Sequence, residues 1–218
     1  MMYRLIAYCF AVALGFQAWA DAEPPTADDL PVMRWGAGAQ QSAWHETGLE
    51  ALRTHAAILP QYVPADIETW CPYYTEADVF TREAFWIGFL SALAKHESTY
   101  KPTAVGGGNR WFGLTQISPG TARGYGCRAK SGAALKDGGD NLSCAFRIMA
   151  VTVPRDGVIH ARSPKWSGVS ADWGPMRSSS KRGDMAAWLN AQPFCQGSVS
   201  PNKPEPKPKR RRFNSPNQ

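Results

Sequence analysis

Glu97 is the residue of this chain with the clearest capacity for chemistry. It lies in the stretch His96-Glu97-Ser98-Thr99-Tyr100-Lys101-Pro102-Thr103-Ala104-Val105-Gly106, and no other acid follows before Asp137. A carboxyl group at the end of an apolar segment is set up to hold a proton and donate it, because removal from water disfavours the charged form. Asp156, Asp172 and Asp184 lie far along the chain and are the remaining candidates for a second acid. Metal chemistry has weaker support. His45-Glu46 and His96-Glu97 both begin like H-E-x-x-H, but Leu49 and Tyr100 stand where the second histidine belongs, so no metal site is expected.

A helix must carry Glu97. Thr81 to His96 has the composition for one, with Thr81 as a candidate N-cap and Glu83 in the first turn. At about 100° per residue, Trp86, Leu90, Leu93 and Glu97 share one narrow stripe, so Glu97 continues the buried face. Apolar residues at helical spacing also run from Ser42 through Trp44, Leu49, Leu52, Ala56 and Leu59, until Pro60 and Pro64 interrupt them. A second clear helix is expected over Asp140–Val153, ended by Pro154, and a shorter one over Arg182–Ala191 burying Met185, Trp188 and Leu189. Between them, residues 102–138 are rich in Gly and Pro, with one strand-like run at Trp111–Ile117. The pattern predicts a mainly α (α+β) domain with a small irregular β excursion.

The N-terminus reads as an export signal over residues 1–20. Arg4 precedes an apolar run from Leu5 to Trp19, and Ala18-Trp19-Ala20 supplies the small-x-small cleavage pattern. The run is short for a membrane anchor, so a soluble exported protein, periplasmic and monomeric, is expected. Cleavage would remove Cys9 and leave Cys71, Cys127, Cys144 and Cys195, an even number suited to disulfides in an oxidising compartment. Three pairings are possible. Cys127–Cys144, closing a short loop, and Cys71–Cys195, tying the start of the domain to its end, are favoured. The wide spacing and lack of C-x-x-C disfavour zinc.

The formal charge of +6 is concentrated at the C-terminus. Arg4 contributes one positive charge and residues 199–218 a net five, which leaves residues 21–198 without net charge. A nucleic-acid-binding fold is therefore not expected. The tail alternates Lys and Pro before Arg210-Arg211-Arg212 and is expected to be a disordered, solvated terminus. Its alternative role is attraction to an anionic envelope surface, either wall polymers or lipid headgroups.

Two motifs then occur in order. Glu97-Ser98, with Pro102 and Ala104-Val105-Gly106, gives E-S-x-x-x-P-x-A-V-G. After Gly106-Gly107-Gly108, the run Gly113-Leu114-Thr115-Gln116-Ile117-Ser118-Pro119-Gly120-Thr121-Ala122 gives G-L-x-Q-I-x-P-x-T-A. Together they resemble the SLT-type catalytic domain of lytic transglycosylases, lysozyme-like enzymes that cut peptidoglycan. The resemblance is dense from Ala92 to Ala122 and extends weakly through Asn141–Met149.

The resemblance implies a lysozyme-like fold and peptidoglycan glycan strands as partner, with no cofactor. It implies that Glu97 is the catalytic acid, that Ser98 and Gln116 line the saccharide groove, and that Gly113, Leu114, Thr115, Gln116 and Ile117 offer backbone groups to N-acetyl sugars. Two bland roles stand beside these: helix C-terminal backbone bonding for Ser98 and a loop-fixing amide for Gln116. The family's Ala-Tyr-Asn-Ala-Gly string is missing. Trp173, in Ala171-Asp172-Trp173-Gly174-Pro175, sits at roughly the corresponding distance and is expected to cover the site. Arg110-Trp111-Phe112 and Trp166 offer stacking faces, although core packing is the commoner use of tryptophan.

The expected reaction is lytic, because the substrate can supply its own nucleophile where a two-carboxylate hydrolase needs a second acid. Hydrolysis and non-catalytic peptidoglycan binding are the alternatives. The expected organisation is a signal over 1–20, a flexible lead-in over 21–40, the catalytic domain over 41–198 and the tail over 199–218.

Overall fold

The structure, a computed structural model, describes residues 23–198. The export segment and the basic tail read from the sequence lie outside the described residues.

The centre of the fold is the helix that ends on Glu97. It runs from Val79 to Glu97 and, with earlier helices at Ala39–Arg53 (α1), Ile58–Gln61 (α2) and Ile67–Trp70 (α3), is α4. Burial extends well beyond the stripe expected from periodicity, because Ala84 to Ala94 is enclosed on every side. A helix that is apolar around most of its circumference belongs inside a protein rather than on its surface. The cap also differs from expectation. Asp78, not Thr81, is the N-cap, and its Oδ1 accepts from the Thr81 N–H at 2.7 Å. Glu83 faces inward and pairs with Arg53 of α1 at 2.9 Å instead of serving the helix terminus.

After α4 come a two-residue antiparallel hairpin, Val105–Gly106 (β1) with Trp111–Phe112 (β2), and the short helix Pro119–Gly124 (α5). A bridge between Phe112 and Ile117 extends this small β excursion. The long helix Gly138–Asp156 (α6) packs along α1. It is capped by Asp137 and does not stop at Pro154. Pro154 sits in its last turn, and Gly157, at φ 76°, ends the helix in the left-handed conformation that glycine adopts without a Cβ clash. A second hairpin follows, His160–Ala161 (β3) with Ser167–Gly168 (β4), then 3-10 turns at Val169–Ala171 and Gly174–Arg177. Helix Ser179–Asn190 (α7) packs on α4, and buries Met185 and Leu189 while Trp188 is partly covered.

The disulfides are Cys71–Cys195 and Cys127–Cys144, the pairs favoured from sequence. The first joins the end of α3 to the last turn of the domain, and the second joins the end of α5 to α6. The expectation of a loose lead-in is corrected for its described part. Residues 27–29 form a 3-10 turn, Met33 and Trp35 enter the core, and the Trp35 Nε1–H donates to His45 of α1 at 3.0 Å. Trp35 also packs edge-on to Trp44 of α1 with ring centroids 5.4 Å apart, and burial of such large apolar side chains offsets the entropy lost by ordering the chain. Among the described residues no helix is long and apolar enough to cross a membrane.

Candidate active site

Glu97 opens into a cleft of about 490 Å³ whose other walls include Gly106, Gly107, Trp111, Gln116 and residues 172–175 with Arg177. Its carboxylate accepts no hydrogen bond and forms no ion pair among the described residues. Burial pushes this carboxyl up to about 7, against a smaller opposing pull from Lys181 of α7. Its place on the last residue of α4 acts in the same direction, since helix C-terminal carbonyls repel negative charge.

Around Glu97 the backbone is held in unusual conformations. Thr99 and Tyr100 both have positive φ, at 51° and 62°, as the chain leaves α4. Such residues cost on the order of 1–3 kcal/mol each and concentrate at functional sites. The preceding turn is anchored from α7. Asp184 receives both guanidinium nitrogens of Arg34 at 2.8 Å, Lys95 Nζ at 3.1 Å, and lies 2.7 Å from His96 Nε2. Hydrogen bonds from Arg34 above all, and from Lys95 and His96, hold the Asp184 carboxyl well below the usual carboxylate range.

The opposite wall is built around Asn141 of α6. Its Oδ1 accepts from the Thr115 N–H at 2.8 Å and the Thr115 hydroxyl at 2.7 Å, and its Nδ2 donates to the carbonyls of Phe112 and Leu135 at 2.9 and 3.0 Å. The Trp173 indole N–H donates to the Thr115 carbonyl at 2.9 Å. Gly113, at φ 82°, lies so close to Leu135 O and Asn141 that a Cβ would collide with both. Gly107 likewise lies against the face of Trp111, which remains 43% exposed and carries the Arg110 guanidinium 4.9 Å from its ring centroid.

The structure corrects several roles expected from sequence. Leu114 and Thr115 are fully buried, so their side chains do not face the cleft, while Ile117, nearly buried, lines a small pocket adjoining it between Gln116 and Trp173. The N–H groups of Gly113, Thr115, Gln116 and Ile117 all donate within the protein, to Ala104 O, Asn141 Oδ1, Gly113 O and Phe112 O. Four of the segment's five N–H groups are therefore committed internally, as buried amides must be satisfied, and serve as a scaffold for the wall. Gln116 does reach the cleft, while its Nε2 donates to the Gly113 and Ala104 carbonyls at 2.9 and 3.3 Å. It both lines the site and fixes the loop. Ser98 is buried and bonds back to the Ala94 carbonyl at 3.3 Å, the helix-terminal role. Trp173 lines the cleft as a buried, hydrogen-bonded wall residue.

Of the three remote acids, only Asp172 reaches this cleft. Asp156 is engaged by Arg155 and the Gly168 N–H, and Asp184 by the clasp described above. Sequence reasoning missed Arg177, Lys181 and the organising role of Asn141. No spacing signal marks them, since all three lie far from Glu97 in the chain. Among the described residues no group of three or more His, Cys, Asp or Glu could hold a metal ion.

The family model described as "Transglycosylase SLT domain" matches residues 80–155, which span α4, the first hairpin, α5 and nearly all of α6. Among solved structures, DslA in its wild-type form 2 is 27% identical, with 77% of this chain and 98% of that chain covered and a TM-score of 0.69. A Glu-to-Gln mutant of DslA matches with the same identity and coverage and a TM-score of 0.70, and a second such mutant is 28% identical with a TM-score of 0.66. No curated protein matches the chain.

Proposed function

We propose that this chain, whose helical core carries a transglycosylase SLT domain, is an exported, periplasmic lytic transglycosylase that cuts the β-1,4 bond from N-acetylmuramic acid to N-acetylglucosamine in peptidoglycan. The observation that carries this reading is Glu97: a carboxyl without a partner among the described residues, facing a cleft and held by burial at about 7, so able to keep its proton near neutral pH. Export is supported by the apolar N-terminal run after Arg4 and by two disulfides in a cysteine pattern typical of oxidising compartments.

In the proposed reaction the protonated Glu97 carboxyl donates to the glycosidic oxygen as the muramyl C1–O bond breaks and positive charge develops at C1. The resulting Glu97 carboxylate takes the proton from the C6 hydroxyl of the same muramyl residue. The C6 oxygen closes onto C1, giving a 1,6-anhydro ring and restoring the acid. No water is consumed, and intramolecular attack carries an effective molarity on the order of 10⁵ M or more in favourable cases. The half-exposed Trp111 offers an apolar face for a sugar ring beside the acid.

The test is digestion of peptidoglycan sacculi with wild type and Glu97→Gln, followed by mass analysis of the released muropeptides. Anhydro products from wild type and their loss in the mutant are expected. Products heavier by one water would assign hydrolysis instead, with Asp172 as the carboxyl available in the same cleft. Binding without release by wild type would assign a non-catalytic peptidoglycan binder.

A further inference from the structure

The charged residues lining the Glu97 cleft are Glu97 itself, Asp172 and Arg177. Asp172 and Arg177 stand on one wall and are both exposed. Removal of its carboxyl from bulk water into the cleft raises Asp172, while Arg155 and, more weakly, Arg177 pull it downwards, yet no ion pair joins Asp172 to either among the described residues. The Asp172 carboxylate accepts no hydrogen bond there either. Two opposite charges side by side on a cleft wall would ordinarily pair with each other. Here they remain separate.

Their separation is built in. The Arg177 Nε and Nη2 donate to the carbonyls of Ser170 and Ala171 at 2.9 and 2.6 Å, which leaves Nη1 without an acceptor among the described residues. The wall is braced from behind. The Ser170 hydroxyl lies 2.6 Å from His160 Nδ1 and donates to Met176 O at 3.3 Å, and Arg182 Nη1 donates to that same carbonyl at 2.8 Å. Next to Asp172, the Trp173 indole is tied to Thr115. Such bracing holds the Arg177 guanidinium N–H and the backbone that carries Asp172 in place before a ligand arrives, which lowers the entropic cost of binding.

Neutral sugars are recognised by hydroxyl and amide contacts and do not call for a separated pair of opposite charges. The peptide stems attached to the glycan do contain such groups, as ammonium and carboxylate. We infer that Asp172 and Arg177 form a receptor for the zwitterionic amino-acid group of a peptide stem, with the ammonium on Asp172 and the carboxylate on Arg177. This rests on the peptidoglycan reading above and adds to it a substrate class: glycan that still bears stems with a free amine. Charge complementarity on an exposed wall chiefly selects among ligands.

The test is an NMR-detected titration of the full chain with a free stem tetrapeptide whose third residue is a diamino acid with free amine and carboxylate. Wild type should bind it, with shifts at the 172–177 wall. Asp172→Asn, at an exposed site, should bind roughly tenfold more weakly, the effect of losing one charge-assisted hydrogen bond. Acetylating the free amine of the diamino acid, and not the N-terminal one, should weaken binding to wild type by a similar factor without touching the protein. Equal binding of the acetylated and free peptides, or no binding by wild type, would overturn the receptor. Sacculus turnover measured in parallel separates the two readings. Turnover without stem binding removes only the receptor, and stem binding without turnover removes only the transglycosylase assignment.

Discussion

His96 Nε2 stands 2.7 Å from Asp184 Oδ2, so the residue immediately before Glu97 is tied to α7. The same carboxylate holds Lys95 and Arg34, and thereby joins the last turn of α4 to the chain that precedes α1. Asp184→Asn should lower stability by about 1–2 kcal/mol, a figure discounted because this carboxylate is partly exposed and screened by solvent. The carboxyl is held low in the folded state, so its contribution is complete above its unfolded value of about 3.9 and is lost as pH falls below it. Thermal melts should show a wild-type advantage at pH 7 that narrows below about pH 4. An advantage independent of pH would place the effect elsewhere.

Asn141 makes four hydrogen bonds across the scaffold of the cleft wall, all with buried or part-buried partners. Asn141→Ala leaves the Thr115 N–H and the carbonyls of Phe112 and Leu135 without these partners. Unfolding in urea should report a loss of about 2–4 kcal/mol, since unsatisfied buried groups carry their full desolvation cost. Turnover of sacculi should fall as well, because Gln116 and Trp173 are positioned through the same segment.

The two disulfides close loops of very different length, with separations of 124 and 17 residues. In the chain-entropy model the longer contributes about 4–5 kcal/mol and the shorter about 3 kcal/mol. Replacing Cys71 and Cys195 by Ala should therefore lower the melting temperature more than replacing Cys127 and Cys144. The reverse order would show that local packing outweighs loop closure here.

Glu97 itself should cost stability. A carboxyl raised in the folded state binds its proton more tightly folded than unfolded. Stability therefore falls as pH rises from the unfolded value of about 4.3 to the folded value of about 7. Glu97→Gln should be about 1–3 kcal/mol more stable than wild type at pH 8, with the difference disappearing near pH 4. Denaturant melts of both proteins at the two pH values check this.

The parts of the fold legible in the sequence were those set by local periodicity. Trp86, Leu90 and Leu93 placed Glu97 on the buried side of a helix, and the apolar spacing from Leu142 to Val153 located α6. Boundaries were less visible. Asp78 and Thr81 are both good cap residues, and the extended backbone of Asp78 with its hydrogen bond from the Thr81 N–H decides between them. The cleft wall was least legible. Thr115 lies in a motif that suggests contact with sugar, but its orientation is set by Asn141 and Trp173, 26 and 58 residues away. Asp172 is remote from Glu97 in the chain and reaches its cleft because the 3-10 turns after β4 fold back across the site. Long-range hydrogen bonds of this kind leave no trace in spacing.

The most direct test of Glu97 as a protonated acid is the pH dependence of kcat/KM on soluble peptidoglycan fragments, with Glu97→Gln alongside. The free-enzyme profile should fall tenfold per pH unit above a midpoint near 7. The mutant should lose on the order of 10²–10⁴ in rate at the optimum. A profile that turns down at an ordinary carboxylate pH of about 4–5, or a mutant that turns over as fast as wild type, would contradict the account.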